Sequence, residues 1–193
     1  MASSSNSMST VKRIHPKKFA LWVGMTGIIM LFAALTSAYI VRKSGGNWLY
    51  FSLPTAFYYS TIAIVASSAV LHFSYKAFLK EQFELYRGLL IAGFILGFGF
   101  VVLQYQGWLQ LGEIGVLVHT NQSSSFIYLI SAMHVAHVLG GLAALVVALV
   151  YGIQRRYHAV TPKRKLRLEL IFTYWHFVDI LWVYLLLFFI LQQ

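Results

Sequence analysis

Five long apolar runs, separated by short polar connectors, take up most of this 193-residue chain. Each run reaches or exceeds the roughly 20 residues with which an α-helix crosses a hydrocarbon core of about 30 Å. Their approximate spans are 19–41, 54–75, 88–109, 125–151 and 168–191. In lipid, every backbone N–H and C=O must be satisfied within its own segment or in a closed barrel, so apolar runs of this length are helices. The expected fold is all-α: a polytopic membrane protein with five transmembrane helices. Residues 19–193 form its single membrane domain, preceded by a mobile basic leader over residues 1–18.

Composition excludes other classes. With 59% hydrophobic and 10% charged residues, the chain is too apolar for a soluble domain of this size. The net charge of +10 would suggest a nucleic-acid partner in a soluble protein. Here the basic residues lie between apolar runs, where they act as topology signals, and no nucleic acid is expected. No cysteine is present, which removes disulfides, iron–sulfur clusters and thiolate metal sites.

The charges also orient the chain. Lys12, Arg13, Lys17 and Lys18 precede the first run; Lys76, Lys80 and Arg87 follow the second. Arg155, Arg156, Lys163, Arg164, Lys165 and Arg167 follow the fourth, whereas Arg42 and Lys43 are the only basic residues on the alternate side. By the positive-inside rule the N-terminus is cytoplasmic and the C-terminus outside.

Small residues mark where helices approach closely. Gly93 and Gly97 form a small-xxx-small pair in the third run, Gly140 and Gly141 lie together in the fourth, and Ser60, Ser67 and Ser74 recur every seven residues in the second. Helix packing is the reading for all of them.

The polar groups within the last two runs need a different account. Tyr174-Trp175-His176-Phe177-Val178-Asp179 places a histidine and a carboxylate three positions apart, on one helix face. An aspartate near the middle of a membrane helix costs roughly 2.5–3.5 kcal/mol, so it is expected to face protein and a partner. His134 and His137 supply candidates in the fourth run. Counted at 1.5 Å per residue, His134 lies roughly 14 Å from the outer edge and Asp179 roughly 16 Å from the inner edge, which is nearly the same level. The expectation is a polar seam of His134, His137, His176 and Asp179 between antiparallel fourth and fifth helices, with Asp179 accepting from His134 or His176. Interhelical hydrogen bonding, proton conduction or tuning, and ligation of a metal or a bis-histidine haem by His137 and His176 all remain open readings of that seam.

Glu169 stands in the first turn of the fifth run, where a carboxylate favours the helix dipole and can pair with a nearby Lys or Arg. The sharper reading joins it to Arg155, Arg156, Lys163, Arg164, Lys165 and Arg167 as a cytoplasmic surface for anionic lipid headgroups.

Two of these stretches carry a family resemblance. Tyr174-Trp175-His176-Phe177-Val178-Asp179 followed by Trp182, and Phe126-Ile127-Tyr128 leading into His134-Val135-Ala136-His137-Val138-Leu139-Gly140-Gly141, resemble subunit III of the haem-copper oxidases in its short, five-helix bacterial form. Met30-Leu31-Phe32, Ala38-Tyr39, Asn47-Trp48-Leu49 and Gln104 to Trp108 extend the likeness over essentially the whole chain.

The resemblance implies a non-catalytic subunit of a proton-pumping aa3-type cytochrome c oxidase, which reduces oxygen to water in the bacterial cytoplasmic (inner) membrane. It implies packing on subunit I among the other oxidase subunits, within reach of a respiratory supercomplex, bound phospholipid, and support of proton uptake and enzyme lifetime. No haem, copper or other metal is implied in this subunit; those cofactors belong to its partners. One departure stands out: many family members have a glutamate before the Met-Leu-Phe-like segment, and Ile28, or Gly27 in a register shifted by one, occupies that place here.

The alternatives are the corresponding subunit of a quinol oxidase and, from a different class, a small proton-coupled membrane transporter. Five helices do not divide into the paired repeats common in secondary transporters, which disfavours the latter.

Overall fold

The structure, a computed structural model, describes residues 15–46, 48–153 and 160–192. Residues 1–14, most of the expected leader, lie outside them, as do Arg155 and Arg156. Five α-helices follow one another: α1 Pro16–Lys43, α2 Thr55–Leu79, α3 Phe83–Glu113, α4 Gln122–Ile153 and α5 Pro162–Gln192. All five are long and apolar enough to cross a membrane.

The helices run past the apolar stretches that announce them. α3 starts at Phe83 and ends at Glu113, against an expected 88–109, and α5 starts at Pro162, a full turn and more before the expected 168. Apolar length measures only the hydrocarbon crossing, while backbone hydrogen bonding continues into the polar interface. Pro54 precedes α2 in an extended conformation, and Thr55 is the first helical residue.

Contacts at the two ends fix the bundle as up-and-down. At the basic end, Lys18 of α1 pairs with Glu169 of α5, Tyr75 of α2 packs edge-on against Phe172 of α5, and Arg87 of α3 donates to the Gly152 carbonyl of α4. At the far end, Lys43 of α1 donates to the Gln192 carbonyl of α5, and Arg42 hydrogen-bonds Gln122 of α4.

α2 and α3 form the most extensive helix pair. Its seam is the serine heptad: Ser67 Oγ donates to Gly93 O at 2.8 Å, Ser74 Oγ donates to Tyr86 O at 3.0 Å, and Gln104 Nε2 donates to Ser60 Oγ at 2.8 Å. All three serines are buried. A seven-residue repeat keeps one narrow stripe facing a partner helix, and a serine in that stripe lets backbones approach while carrying a hydrogen bond. The glycines receive the bulky residues of neighbouring helices. A Cβ at Gly93 would come within 2.5 Å of the Leu71 side chain, and one at Gly107 within 3.0 Å of Phe57.

The α2–α3 turn is tight, and Glu81 occupies it with φ of +60°, a left-handed conformation that a side chain resists. α1 is the most peripheral element: it buries only Phe32, Thr36 and Tyr39, and exposes large apolar residues such as Trp22 and Met30.

Candidate functional site

The core of the bundle is an aromatic node to which every helix contributes one ring: Phe32 from α1, Phe57 from α2, Phe100 from α3, His134 from α4 and Trp182 from α5. His134 and Trp182 have ring centroids 5.0 Å apart with planes inclined by 33°. Phe100 meets both edge-on, at 5.8 Å from His134 and 5.2 Å from Trp182. Phe32 closes on His134 at 6.2 Å, and Phe57 on Trp182 at 6.0 Å. Edge-to-face rings at such distances add about 0.5–1.5 kcal/mol per pair beyond their buried area. Trp182 also tethers α5 to α2, since its indole N–H donates to Thr61 Oγ1 at 2.8 Å.

His134 is wholly buried here, and neither of its ring nitrogens makes a hydrogen bond. It behaves as the fifth ring of the node. His137, one turn away, donates from Nδ1 to the Met133 carbonyl of its own helix at 2.7 Å and packs against Phe32 at 5.7 Å.

The α4–α5 seam is built instead from glycine and aromatic residues. Trp175 lies between α3 and α4: a Cβ at Gly97 would fall 2.6 Å from its ring, and one at Gly141 3.0 Å. Gly140 faces the Tyr174 hydroxyl, which donates to His137 O at 3.1 Å.

His176 and Asp179 turn toward α2. His176 Nδ1 shares a hydrogen bond with Ser68 Oγ, and its ring lies 6.1 Å from that of His72. Asp179 is 4% exposed and lies beside Ser68, yet neither carboxylate oxygen accepts a hydrogen bond. Ser68 Oγ stands beside both His176 Nδ1 and the carboxylate. The sequence expectation that Asp179 accepts from His134 or His176 is therefore corrected: the four residues do not form one hydrogen-bonded seam. His134 packs against Phe32, Phe100 and Trp182 and His137 against Phe32, whereas His176 meets Ser68 and His72 of α2 and Asp179 lies beside Ser68. Among the described residues no group of three or more His, Cys, Asp or Glu side chains could hold a metal ion.

At the basic end, Lys18 Nζ lies 2.5 Å from Glu169 Oε1, so this carboxylate pairs with α1; because α5 begins at Pro162, Glu169 stands beyond the first turn in which the sequence placed it. Arg164 stacks over Phe78, Phe83 and Tyr86, with its guanidinium carbon 5.0–5.9 Å from their centroids. Arg167 covers Tyr151 at 4.3 Å. These two cations hold helix ends together, while Lys163 and Lys165 remain exposed.

Ser68, His72 and Thr61, the partners that α2 supplies, were not among the residues expected from the sequence. The available signal was a histidine inside an apolar run, one turn from a serine. Phe57 and Phe100 carried no signal, because one phenylalanine among many apolar residues does not disclose which face it occupies, and Phe32 entered only as part of the Met-Leu-Phe resemblance.

Comparison with known proteins gives this geometry its context. The family model for cytochrome c oxidase subunit III matches residues 51–192, about three quarters of the chain. A probable cytochrome c oxidase subunit 3 of Mycobacterium bovis is 29% identical over 173 residues, covering 83% of this chain and 80% of the relative. The cytochrome c oxidase subunit 3 of Bacillus sp. PS3 is 24% identical over 176 residues, covering 88% and 82%. A probable quinol oxidase subunit 3 of Staphylococcus haemolyticus is 25% identical over 177 residues, covering 87% and 85%.

Proposed function

Because the chain belongs to the cytochrome c oxidase subunit III family and is a multi-pass subunit of a haem-copper oxidase, we propose that it packs on subunit I, binds phospholipid and supports proton uptake and enzyme lifetime without carrying a redox centre. The observation that carries this reading is the family match across four of the five helices, from the connector before α2 to the end of α5.

The interior suits a supporting role. Its histidines are spent on ring packing and on contacts between helices, so the catalytic chemistry is assigned to partner subunits that hold the haems and copper. Lipid has two places to bind. Between α1 and α5 runs an apolar groove of about 360 Å³, walled by Ile29, Phe32, Ala33, Phe177, Ile180, Leu181 and Tyr184, which suits an acyl chain. The Tyr184 hydroxyl is withdrawn from it by a 3.2 Å hydrogen bond with Thr36. At the basic end, exposed Lys163 and Lys165 provide charge for an anionic headgroup.

In this reading the basic end is cytoplasmic, the far end faces outside, and the complex resides in the bacterial cytoplasmic membrane. The relatives bear both cytochrome c and quinol oxidase names. The electron donor is assigned to contacts made by other subunits, and a cytochrome c oxidase is the reading favoured by the family match.

The test is purification of the tagged chain from its native membrane in mild detergent, followed by a visible spectrum and mass spectrometry. Haem absorbance and a co-purifying large oxidase subunit are expected. A stable, monodisperse particle without haem or copper overturns the reading. Retention of phospholipid by the purified complex, read by native mass spectrometry, tests the lipid role.

A further inference from the structure

Between them, α2 and α5 present an outward face carrying polar groups at a depth that is usually apolar. Ser68 and His72 lie one turn apart on α2, and His176 meets them from α5. Behind these stands Asp179, more than nine-tenths buried and without a hydrogen bond to either oxygen.

His72 is exposed, and among the described residues its ring touches Phe73 and His176 without forming a hydrogen bond. At 1.5 Å per residue, His72 lies about 26 Å along a helix of about 38 Å, which puts it about 8 Å inside a centred 30 Å core. Lys76, one turn further on, has a stem long enough to carry its charge to the interface; an imidazole does not. A ring N–H pointing into acyl chains loses its hydrogen bonds to water and gains none in return. Polar side chains at such depth face protein or a water-filled cavity.

We propose that this α2/α5 face is the docking surface for a membrane-spanning helix of another subunit of the same oxidase. That helix offers a hydrogen-bond acceptor, a carboxylate above all, to His72. Complementarity selects the acceptor: the exposed groups on this face are His72 and Lys76, while of the two carboxylates near it Asp179 is buried behind Ser68 and Glu169, closer to the basic end, is already paired with Lys18. The proposal rests on the reading of the chain as an oxidase subunit.

The absence of cysteine makes the test clean. In the complete complex from native membranes, His72→Cys provides the one thiol of this subunit for a benzophenone crosslinker, and Met30→Cys on the exposed face of α1 provides the comparison. Illumination from position 72 is expected to join this chain to a second oxidase subunit, identified by mass spectrometry. His72→Leu is expected to lower the amount of the chain retained through detergent purification several-fold, while His72→Gln, which keeps a hydrogen-bonding head, retains it. Adducts only to lipid from position 72, in a complex that still contains haem, overturn this docking face and leave the oxidase reading intact. Retention of His72→Leu equal to that of the unaltered chain overturns the hydrogen-bonding role. Purification without any haem-bearing partner overturns the oxidase reading itself.

Discussion

The His134 imidazole and the Trp182 indole stack at 5.0 Å in the centre of the bundle, with neither ring nitrogen of His134 hydrogen-bonded. A histidine so placed contributes through shape and ring contacts. His134→Phe is expected to leave helix content and assembly with the oxidase unchanged, since it keeps a ring and removes two buried unpaired nitrogens. His134→Ala leaves a cavity between Phe32, Phe100 and Trp182 and is expected to cost about 3 kcal/mol, at the low end for losing a buried aromatic ring. Helicity in detergent during titration with a denaturing surfactant measures both.

Gly97 and Gly99 differ by two positions and should differ sharply in tolerance. A Cβ at Gly97 meets the Trp175 ring at 2.6 Å, whereas one at Gly99 meets nothing within 4 Å. Gly97→Ala is expected to destabilise by about 1–3 kcal/mol, the usual cost of overpacking, and Gly99→Ala to be tolerated. The same surfactant titration reads the difference. Equal effects at the two positions would show that Trp175 moves aside freely.

The serine heptad predicts a cumulative loss. Interhelical hydrogen bonds in membranes average about 0.6 kcal/mol each, so replacing Ser60, Ser67 and Ser74 together by alanine should cost about 2 kcal/mol, with each single change near the limit of detection. Ser60→Ala has an added effect, because it strands the Gln104 amide that donates to it.

The turn between α2 and α3 holds removable strain. Glu81 adopts φ of +60°. Glu81→Gly is expected to stabilise the α2–α3 hairpin by about 1 kcal/mol, since glycine enters the left-handed region without a Cβ penalty. A lower midpoint in the surfactant titration would mean that the Glu81 side chain contributes more than its backbone costs.

The legible parts of the fold were those that depend on position along a helix axis. The five crossings, the connectors and the serine repeat could be read directly, because a 30 Å core imposes a minimum apolar length and a heptad imposes a stripe. Depth was legible too: His134 and Asp179 were placed at nearly one level, and Trp182, which stacks on His134, is only three residues beyond Asp179. Helix ends were less so, since hydrophobicity stops at the edge of the hydrocarbon and the backbone does not.

Orientation about each axis is what the tertiary structure alone decided. His176 and Asp179 share a face of α5, but whether that face meets α4 or α2 depends on which helix packs where and at what rotation. The structure turns it to Ser68 and His72, and gives α4 the glycine–Trp175 seam. The sequence by itself determined a five-helix membrane bundle and, through two motifs, its family. Only packing determined that the histidine of one motif fills an aromatic node while the carboxylate of the other stands behind an outward polar face. A residue's place along the chain fixes its depth, but its azimuth is settled by the neighbours that the whole bundle brings to it.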